Sequence, residues 1–350
     1  MRPFAPFAIA PTTDALTNSS ADAVSETTGR GSDSSIESAV VANDRHADTS
    51  PPATRLQFIL AFGVIYVVWG STYLAIRVAI DTIPPFVLGA VRFLLAGSLL
   101  YAWSRWRGAP KPSALQWRNS AIVGALLLFV GNGAVSWAEQ RVSSGMTSLL
   151  VATVPLWLVL CEGWMGVRPT AAKVLGVVIG LVGVGILVLP ANGDLTSAAV
   201  DPLGALVLSV GSLAWTAGSL FSRTAQMAKP ASVAIAMQML VGGAMLLALA
   251  LATGEISGLS SGPAISARSA LAVLYLIVFG SLVGFSTYMW LLGKASPTAV
   301  GTYAYVNPVV AVLLGVVLLG ETLPSRAMLA MFVIVGGVAL VSLAPQFKRR

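Results

Sequence analysis

The stretch TYAYVNPVVAVLLG, Thr302 to Gly315, has the apolar composition of a membrane-spanning helix, yet Asn307 and Pro308 lie side by side near its middle. A polar side chain is costly in lipid, and a proline removes one hydrogen bond from a helix. Pro155, 153 residues earlier, stands near the middle of a second apolar run, SLLVATVPLW. Two helices interrupted at corresponding positions of one chain predict a shared central site at mid-membrane depth.

The two prolines belong to a longer internal repeat. The matched pairs, each 153 residues apart, are Trp137 and Trp290, Arg141 and Lys294, Pro155 and Pro308, and Gly183 and Gly336. Nearer the start of each copy, a tryptophan is followed eight residues later by an arginine, at Trp69 and Arg77 and again at Trp215 and Arg223. The chain therefore contains two copies of one structural unit.

The composition places both copies in a membrane. Hydrophobic residues make up 56% of the 350 residues and charged residues only 10%, against about 25% in soluble domains. Ten apolar runs approach the roughly 20 residues that a bilayer-spanning helix needs. We predict an all-α integral membrane protein with helices at 58–80, 86–104, 119–139, 145–163, 172–189, 203–222, 232–252, 270–291, 297–319 and 326–343.

The distribution of Lys and Arg between the loops sets the orientation. With the N-terminus in the cytoplasm, the inside segments hold thirteen basic residues and the outside loops three, namely Arg141, Arg268 and Arg326. Both termini are then cytoplasmic. Each copy has five spans, so the second copy must lie upside down relative to the first, the arrangement that recurs in secondary transporters.

Four segments follow from these patterns. We expect a disordered cytoplasmic tail at 1–54, a first repeat at 55–190, a second repeat at 203–344 and a basic cytoplasmic C-terminus at 345–350. The tail is rich in Ser, Thr, Ala and Asp and holds seven of the fourteen acidic residues. That acidity argues against an organelle transit peptide.

Several function classes are disfavoured. The net charge of +7 is scattered between apolar runs, which argues against nucleic-acid binding. A single cysteine, Cys161, and a single histidine, His46, cannot form a disulfide or a Cys/His metal site. The chain lacks a phosphate-cradling GxxxxGK[ST] loop and a membrane carboxylate cluster, so an ATP-driven pump or an enzyme is not expected, and we predict no cofactor and no metal.

Aromatic and amide side chains at mid-membrane depth are the candidates for contact with a ligand. Each has an ordinary structural alternative: a packing kink for a proline, an interhelical hydrogen bond for an asparagine, and core or lipid contact for an aromatic ring. Tyr66, Tyr288 and Trp290 are further candidates for the aromatic lining of a central binding site. The predicted substrate-binding residues are Trp69, Tyr73, Asn132, Trp157, Trp215, Tyr303, Tyr305 and Asn307, with Pro155 and Pro308 as helix breaks.

Three charged residues lie at or inside the outer ends of the first spans. Arg77, Arg92 and Glu139 could meet in one outer vestibule, as a gate salt bridge or as a contact for a substrate carboxylate. The structural alternative for Arg77 and Glu139 is snorkelling toward the membrane surface. Arg92 lies deeper and fits that alternative less well. Glu162 and Glu321 are interpreted as boundary residues at span ends.

The chain resembles the EamA branch of the drug/metabolite transporter superfamily, and within it the YedA-type inner-membrane permeases. The resemblance is carried by WGSTYLAIR at Trp69, VRFLLAG at Val91, VGNGAVSWAEQ around Asn132, SSGMTSLLVATVP and YAYVNPVVAVLLG followed by GETL. It covers about Leu56 to Leu343. Glu321 matches the acid that often follows span nine in this family, whereas the first copy has Arg168 at the corresponding position.

The resemblance implies a central cavity between the two halves and export of amino acids, metabolites or toxic compounds by alternating access. Uptake is one alternative. A scaffold or enzyme subunit without transport is another, and it predicts an interior without a cavity. Two energy sources stay open: proton antiport, for which Glu139 is the only acid well placed on the outer side, and facilitated export. The expected partners are a small-molecule substrate and the lipid bilayer of the bacterial inner membrane, and the protein is a monomer or a homodimer.

Overall fold

The computed structural model describes residues 54–166, 168–189, 200–261, 264–295, 297–321 and 324–343, and the regular structure in these ranges is helical. The predicted tail, apart from Thr54, and the predicted C-terminal segment lie outside the described residues. The membrane helices are α1 Arg55–Ala79, α2 Pro85–Trp106, α3 Ala114–Ala138, α4 Ser144–Trp164, α5 Ala171–Val188, α6 Pro202–Thr224, α7 Ala231–Ala252, α8 Ala267–Lys294, α9 Tyr303–Leu319 and α10 Ser325–Leu343.

All ten predicted spans coincide with these helices. Among the described residues, nine helices are long and apolar enough to cross a membrane, and α9 adds a shorter apolar stretch, Val306–Leu319. Two short helices, Glu255–Ser261 and Pro297–Val300, precede α8 and α9. The protein is thus an all-α integral membrane protein with ten membrane helices in two inverted sets of five, α1–α5 and α6–α10.

The helix packing follows the inverted symmetry. α2 packs along α7, and α5 packs along α10, so each of these pairs joins equivalent helices of the two halves. α1 packs on α8 and α9 of the second half, while α6 packs on α3 and α4 of the first half. The contacts of α1 with α8 and α9 are thus the symmetry equivalents of the contacts of α6 with α3 and α4. The centre of the protein is therefore built by both halves together.

Glycines allow the equivalent helices to cross closely. A Cβ on Gly97 of α2 would lie 3.0 Å from the backbone nitrogen of Leu240, and one on Gly243 of α7 would lie 2.9 Å from that of Leu94. Gly97 and Gly243 are 146 residues apart, the same spacing as Trp69 and Trp215. Since only a small residue permits such an approach, the symmetric crossing is already encoded in the sequence.

Two π-helical segments occupy equivalent positions. Gly124–Asn132 lies within α3 and Leu276–Phe285 within α8, and adding 153 to the first range gives 277–285. π-helical turns are rare in proteins and occur often at functional sites. Both segments run beside the centre of the protein, one packed on α6 and the other on α1.

The two proline-containing helices are interrupted differently. α4 is broken at Ala152–Thr153, and Pro155 lies in the first turn of its second part, Val154–Trp164, where a missing backbone N–H is harmless. In the second half, the turn comes earlier, at Gly301–Thr302, and Pro308 lies inside the continuous helix α9. The predicted break at Pro308 is therefore displaced toward the N-terminus.

Two glutamates of the second half cap helices of the first half. The Glu321 carboxylate accepts hydrogen bonds from the backbone N–H (3.0 Å) and the hydroxyl (2.9 Å) of Ser144, at the start of α4. The Glu255 carboxylate accepts from the backbone N–H groups of Phe86 (2.9 Å) and Val87 (3.0 Å), at the start of α2. A carboxylate at a helix N-terminus is favourable because it meets unpaired N–H groups and the positive end of the helix dipole. Glu321 thus ties the halves together, beyond marking a span boundary.

Candidate functional site

A cavity, here called the outer cavity, lies between the two halves, toward the ends of α1 and α3 that the Lys and Arg distribution predicts to face outward. Side chains from α1, α2, α3, α4, α6, α8 and α9 line it, so both halves contribute. Six of the residues singled out from the sequence are among its lining: the predicted contacts Trp69, Tyr73, Asn132, Trp215 and Tyr303, and the charged candidate Arg92.

A second cavity, here called the inner cavity, lies toward the ends of α4 and α6 that the same distribution predicts to face the cytoplasm. Its lining includes Pro155 and the inner-side residues Glu162, Lys173 and Arg223. Lys173 Nζ and a Glu162 carboxylate oxygen form an ion pair at 3.7 Å. Two cavities thus approach the centre of the protein from opposite sides of the membrane.

Four aromatic side chains, here called the aromatic layer, lie where the cavities meet: Trp69, Trp215, Tyr288 and Tyr303. The Trp69 ring centroid lies 5.6 Å from that of Trp215, 4.8 Å from that of Tyr288 and 5.6 Å from that of Tyr303. Trp69 and Trp215 line the outer cavity, Tyr288 lines the inner one, and Tyr303 lines both. The layer therefore separates the two spaces.

Hydrogen bonds and close glycines hold the aromatic layer in place. Trp215 Nε1 donates to the Tyr288 hydroxyl at 3.0 Å, and that hydroxyl is 2.9 Å from the hydroxyl of Ser219. A Cβ on Gly284 would lie 2.5 Å from Trp69 Nε1, and one on Gly131 would lie 3.0 Å from Trp215 Cε3. Gly131 and Gly284 are 153 residues apart, so each tryptophan rests on the equivalent glycine of the opposite half.

Arg92 carries the only charge on the wall of the outer cavity among the described residues. Its side chain is buried, Nε donates to the Ser281 hydroxyl at 2.7 Å, and the guanidinium carbon lies 4.8 Å from the Phe93 ring centroid. Among the described residues no carboxylate lies within ion-pair distance of it. The wall thus presents a positive charge whose protein partners are neutral.

Arg77 and Glu139 meet nearby, but not as a salt bridge between side chains. Arg77 Nη1 donates to the backbone oxygen of Glu139 at 2.7 Å. The Glu139 side chain is fully buried, and neither carboxylate oxygen has a hydrogen-bond partner in the described part of the chain. The two residues adjoin the outer cavity without lining it, whereas Arg92 faces into it.

Three predicted contact residues are placed elsewhere or lie outside the description. Asn307 is buried against α1, and its amide, oriented to satisfy both of its atoms, donates to the carbonyls of Ile65 (3.3 Å) and Tyr66 (3.2 Å). Trp157 Nε1 donates to the Thr153 hydroxyl at 3.2 Å, and Trp157 is not among the described lining of either cavity. The side chain of Tyr305 lies outside the described residues.

Small polar residues complete the outer cavity and were not predicted. Thr72 and Ser212 line it, and Ser281 holds Arg92 from α8. Serine and threonine are frequent in membrane helices as packing residues, so composition does not single them out. The repeat could have identified a different lining residue, Phe285, because it occupies the position equivalent to Asn132 in the second half.

Comparison with known proteins agrees with this architecture. The sequence profile of the EamA-like transporter family matches residues 57–189 and 202–343. The chain is 40% identical over 292 residues to the inner membrane transporter YedA of Escherichia coli (strain K12), covering 82% of this chain and 92% of YedA. It is 26% identical to a probable terminal-alkyne amino-acid exporter of Streptantibioticus cattleyicolor, covering 83% and 95%. A solved crystal structure shares the fold, with a TM-score of 0.58 at 24% identity, covering 83% of this chain and 98% of the other.

Proposed function

The chain belongs to the EamA-like transporter family, and on that premise we propose that it exports small metabolites, amino acids or drug-like compounds by alternating access. It is a membrane transporter of the bacterial inner membrane, with multiple spans and with small molecules and the bilayer as its partners. The direction of transport, the gate and the substrate are the proposed parts.

The observation that carries the proposal is the pair of cavities on either side of the aromatic layer. A scaffold without transport activity would be expected to have a filled interior, because empty space forfeits packing contacts. Both cavities are lined mainly by apolar and aromatic side chains with a few polar groups among them, the composition typical of small-molecule sites. Inverted halves can exchange their arrangements, so that each cavity opens in turn to its own side.

Opening the path requires the aromatic layer to part. Trp69 belongs to α1, Trp215 to α6, and Tyr288 and Tyr303 to α8 and α9. Since α1 packs on α8 and α9 while α6 packs on α3 and α4, a rocking motion of one cluster against the other would separate the rings. We assign the layer as the gate between the cavities.

Export is the preferred direction, and uptake is the alternative. The name of the Streptantibioticus cattleyicolor relative, a probable amino-acid exporter, supports export. The transport role, the family and the absence of a predicted catalytic group support a protein that is not an enzyme. Both cavities and the aromatic layer are formed within one chain, which supports the monomer as the transporting unit.

Proton coupling through Glu139 is the proposed energy source. A fully buried carboxylate without a hydrogen-bond partner is costly when charged, and accepting a proton removes that cost. The groups that act on it are Tyr73 and Arg77 of α1 and Glu321, which follows α9. Facilitated export without protons is the alternative.

Transport is tested in proteoliposomes containing the purified full-length protein. Radiolabelled amino acids and a cationic dye are offered from each side, with protein-free vesicles as the control. We expect counterflow of at least one amino acid above the control. Efflux from whole overexpressing cells then decides direction: faster loss of preloaded compound indicates export, and faster accumulation indicates uptake. Absence of counterflow for every compound would count against the proposal.

A further inference from the structure

We propose that Arg92 binds the carboxylate of the substrate, and that the outer cavity selects organic carboxylates with an apolar or aromatic body. This inference rests on the proposed transport function and names the substrate class of the same site. It starts from one observation, a buried guanidinium that lines the cavity without a carboxylate partner among the described residues.

A charge taken out of water is stabilised only when it is paired and hydrogen-bonded. Arg92 is 5% exposed, and its one side-chain hydrogen bond among the described residues is the 2.7 Å bond from Nε to the Ser281 hydroxyl. That bond uses one of the five N–H donors of the guanidinium. The terminal nitrogens therefore retain donors for a ligand, and a carboxylate matches their planar geometry with two parallel hydrogen bonds.

The surroundings of Arg92 fix its orientation toward the cavity. Ser281 holds Nε from α8, and the Phe93 ring lies against the guanidinium at 4.8 Å. A Cβ on Gly280 would lie 2.9 Å from Nη2, so the glycine leaves room for the head group at this position. A guanidinium held in place loses little entropy when an anion arrives, which favours binding.

The two halves differ at this position. In the equivalent place on α7, 146 residues after Arg92, the chain has Gln238, which is fully buried and lies outside the described lining of both cavities. The symmetric fold thus does not require a charge here. The guanidinium is a departure from the repeat, and it places a positive charge without a carboxylate partner among the described residues on the wall of the outer cavity.

The rest of the outer cavity determines the body of the substrate. Trp69, Trp215 and Phe285 supply flat apolar surface, and the polar lining residues Thr72, Asn132 and Ser212 are neutral. A cation would meet Arg92 without a compensating carboxylate on the wall. The cavity therefore favours an anionic head and an aromatic or aliphatic body over an amine or a cationic dye.

Four related ligands test the substrate class on the wild-type protein. Binding of phenylalanine, 3-phenylpropionate, phenylalaninamide and 2-phenylethylamine is measured on purified protein in nanodiscs by quenching of tryptophan fluorescence. The first two carry a carboxylate and the last two do not. We expect the two carboxylates to bind, with affinities about 10- to 100-fold above their counterparts, the range of one charge-assisted contact. Equal or tighter binding of the amide and the amine overturns the inference.

Two substitutions test the assignment to Arg92. Arg92→Gln installs the residue found at the equivalent position of the other half and should remove the preference for carboxylates. Arg92→Lys keeps the charge but loses the planar pair of donors, so this variant should retain part of the preference for carboxylates. Arg107→Gln, at the exposed end of the same helix, is the matched control and should change nothing.

The outcomes distinguish a failure of the carboxylate assignment from a failure of the transport function. Wild-type protein that transports the amine or a dye, with no effect of Arg92→Gln on any ligand, retains the transport function and refutes the carboxylate class. Wild-type protein that neither binds nor transports any compound counts against both. If Arg92→Gln fails to fold, the four-ligand comparison on wild-type protein and the Arg92→Lys variant still decide.

Discussion

Trp69 and Trp215 occupy equivalent positions in the two inverted halves and meet edge to face at the centre of the protein, with ring centroids 5.6 Å apart. Each ring rests on a glycine of the opposite half, Gly284 and Gly131 respectively. The two halves thus form a symmetric contact at the centre of the aromatic layer, between the outer and the inner cavity. A change in the relative position of the halves must alter this contact.

Removing one ring of this contact should disable transport. Trp69→Ala deletes three aromatic contacts at once, and aromatic pairs contribute about 0.5–1.5 kcal/mol each beyond burial. We expect transport in proteoliposomes to fall by about tenfold or more, since the cavity wall and the gate both lose the ring. Trp106→Ala, at a tryptophan that is 83% exposed, is the control. Equal activity of the two variants would place the path elsewhere.

Adding a single methyl group beside Trp69 should have a similar effect. In Gly284→Ala, the new Cβ would lie 2.5 Å from Trp69 Nε1, so the indole must move. Gly336→Ala introduces the same group into open space on α10 and should raise stability slightly, because alanine favours helices by about 0.5–1 kcal/mol over glycine. Transport rate and tryptophan emission report the difference. Unchanged emission and rate for Gly284→Ala would contradict the packing described here.

The two central asparagines should respond differently to substitution. Asn307 bonds to two carbonyls of α1, so Asn307→Ala should lower the melting temperature, with a loss of about 1 kcal/mol, typical of hydrogen bonds within membranes. Asn132 lines the outer cavity, so Asn132→Ala should mainly weaken substrate affinity. Thermal denaturation in detergent and binding titrations measure both properties. Weaker substrate binding without loss of stability in Asn307→Ala would instead place Asn307 in the binding site.

A neutral side chain at Glu139 should uncouple transport from the proton gradient. Glu139→Gln cannot take up or release a proton, so transport driven by a pH difference should fall to the level seen without one. Asp201→Asn, in the surface ion pair with Arg141 at the start of α6 and outside the described lining of both cavities, is the control. Transport is measured in proteoliposomes with and without a pH difference. Unaltered gradient dependence in Glu139→Gln would favour facilitated export or another coupling residue.

The cap of α2 should make stability depend weakly on pH. Burial raises the pKa of Glu255 above its ordinary value of 4.5, although the N–H groups of Val87 and Phe86 oppose the shift. A carboxyl group with a raised folded-state pKa binds protons more strongly when folded. The contribution of Glu255 to stability is therefore greatest below pH 4.5 and is lost as pH rises from there through the folded-state pKa. Glu255→Gln should flatten this slope in thermal melts across that range. An unchanged slope in Glu255→Gln would mean that another group causes the pH dependence of stability.

Much of the fold follows from local patterns. The apolar runs predicted all ten helices, because each membrane helix satisfies its own backbone hydrogen bonds and needs a fixed length of apolar residues. The repeat spacing predicted the inverted halves. It also predicted that Trp69 and Trp215 are counterparts, although their direct contact was not predicted.

The prediction of a helix break at Pro308 in the second half is wrong, because tertiary packing allows the helix to continue through the proline. Pro308 is the obvious irregularity in the sequence, but it lies inside α9, and the turn lies at Gly301–Thr302. A proline in a membrane helix is compatible with continuation when neighbouring helices stabilise the turn. The tolerance depends on packing, which the sequence pattern does not contain.

The sequence does not predict reliably which side chains of a membrane helix face the cavity. Trp69, Tyr73, Arg92, Asn132, Trp215 and Tyr303 were proposed from depth and chemistry, and the structure places them on one cavity. Asn307 was proposed on the same grounds and bonds to α1 instead. Depth along a helix is encoded by residue number, whereas rotation about the helix axis depends on the neighbours.

The Asn307–Pro308 pair shows where the division lies. Residue order and hydropathy are enough to predict a polar residue and a proline at mid-membrane depth in a span with an inverted counterpart. The packing of the helices is needed to show that the Asn307 amide bonds to the α1 backbone while Arg92 faces the cavity. The reason is physical: burial of a polar group requires a partner, and which partner is within hydrogen-bond distance is fixed by how α1, α8 and α9 pack, not by the residue itself.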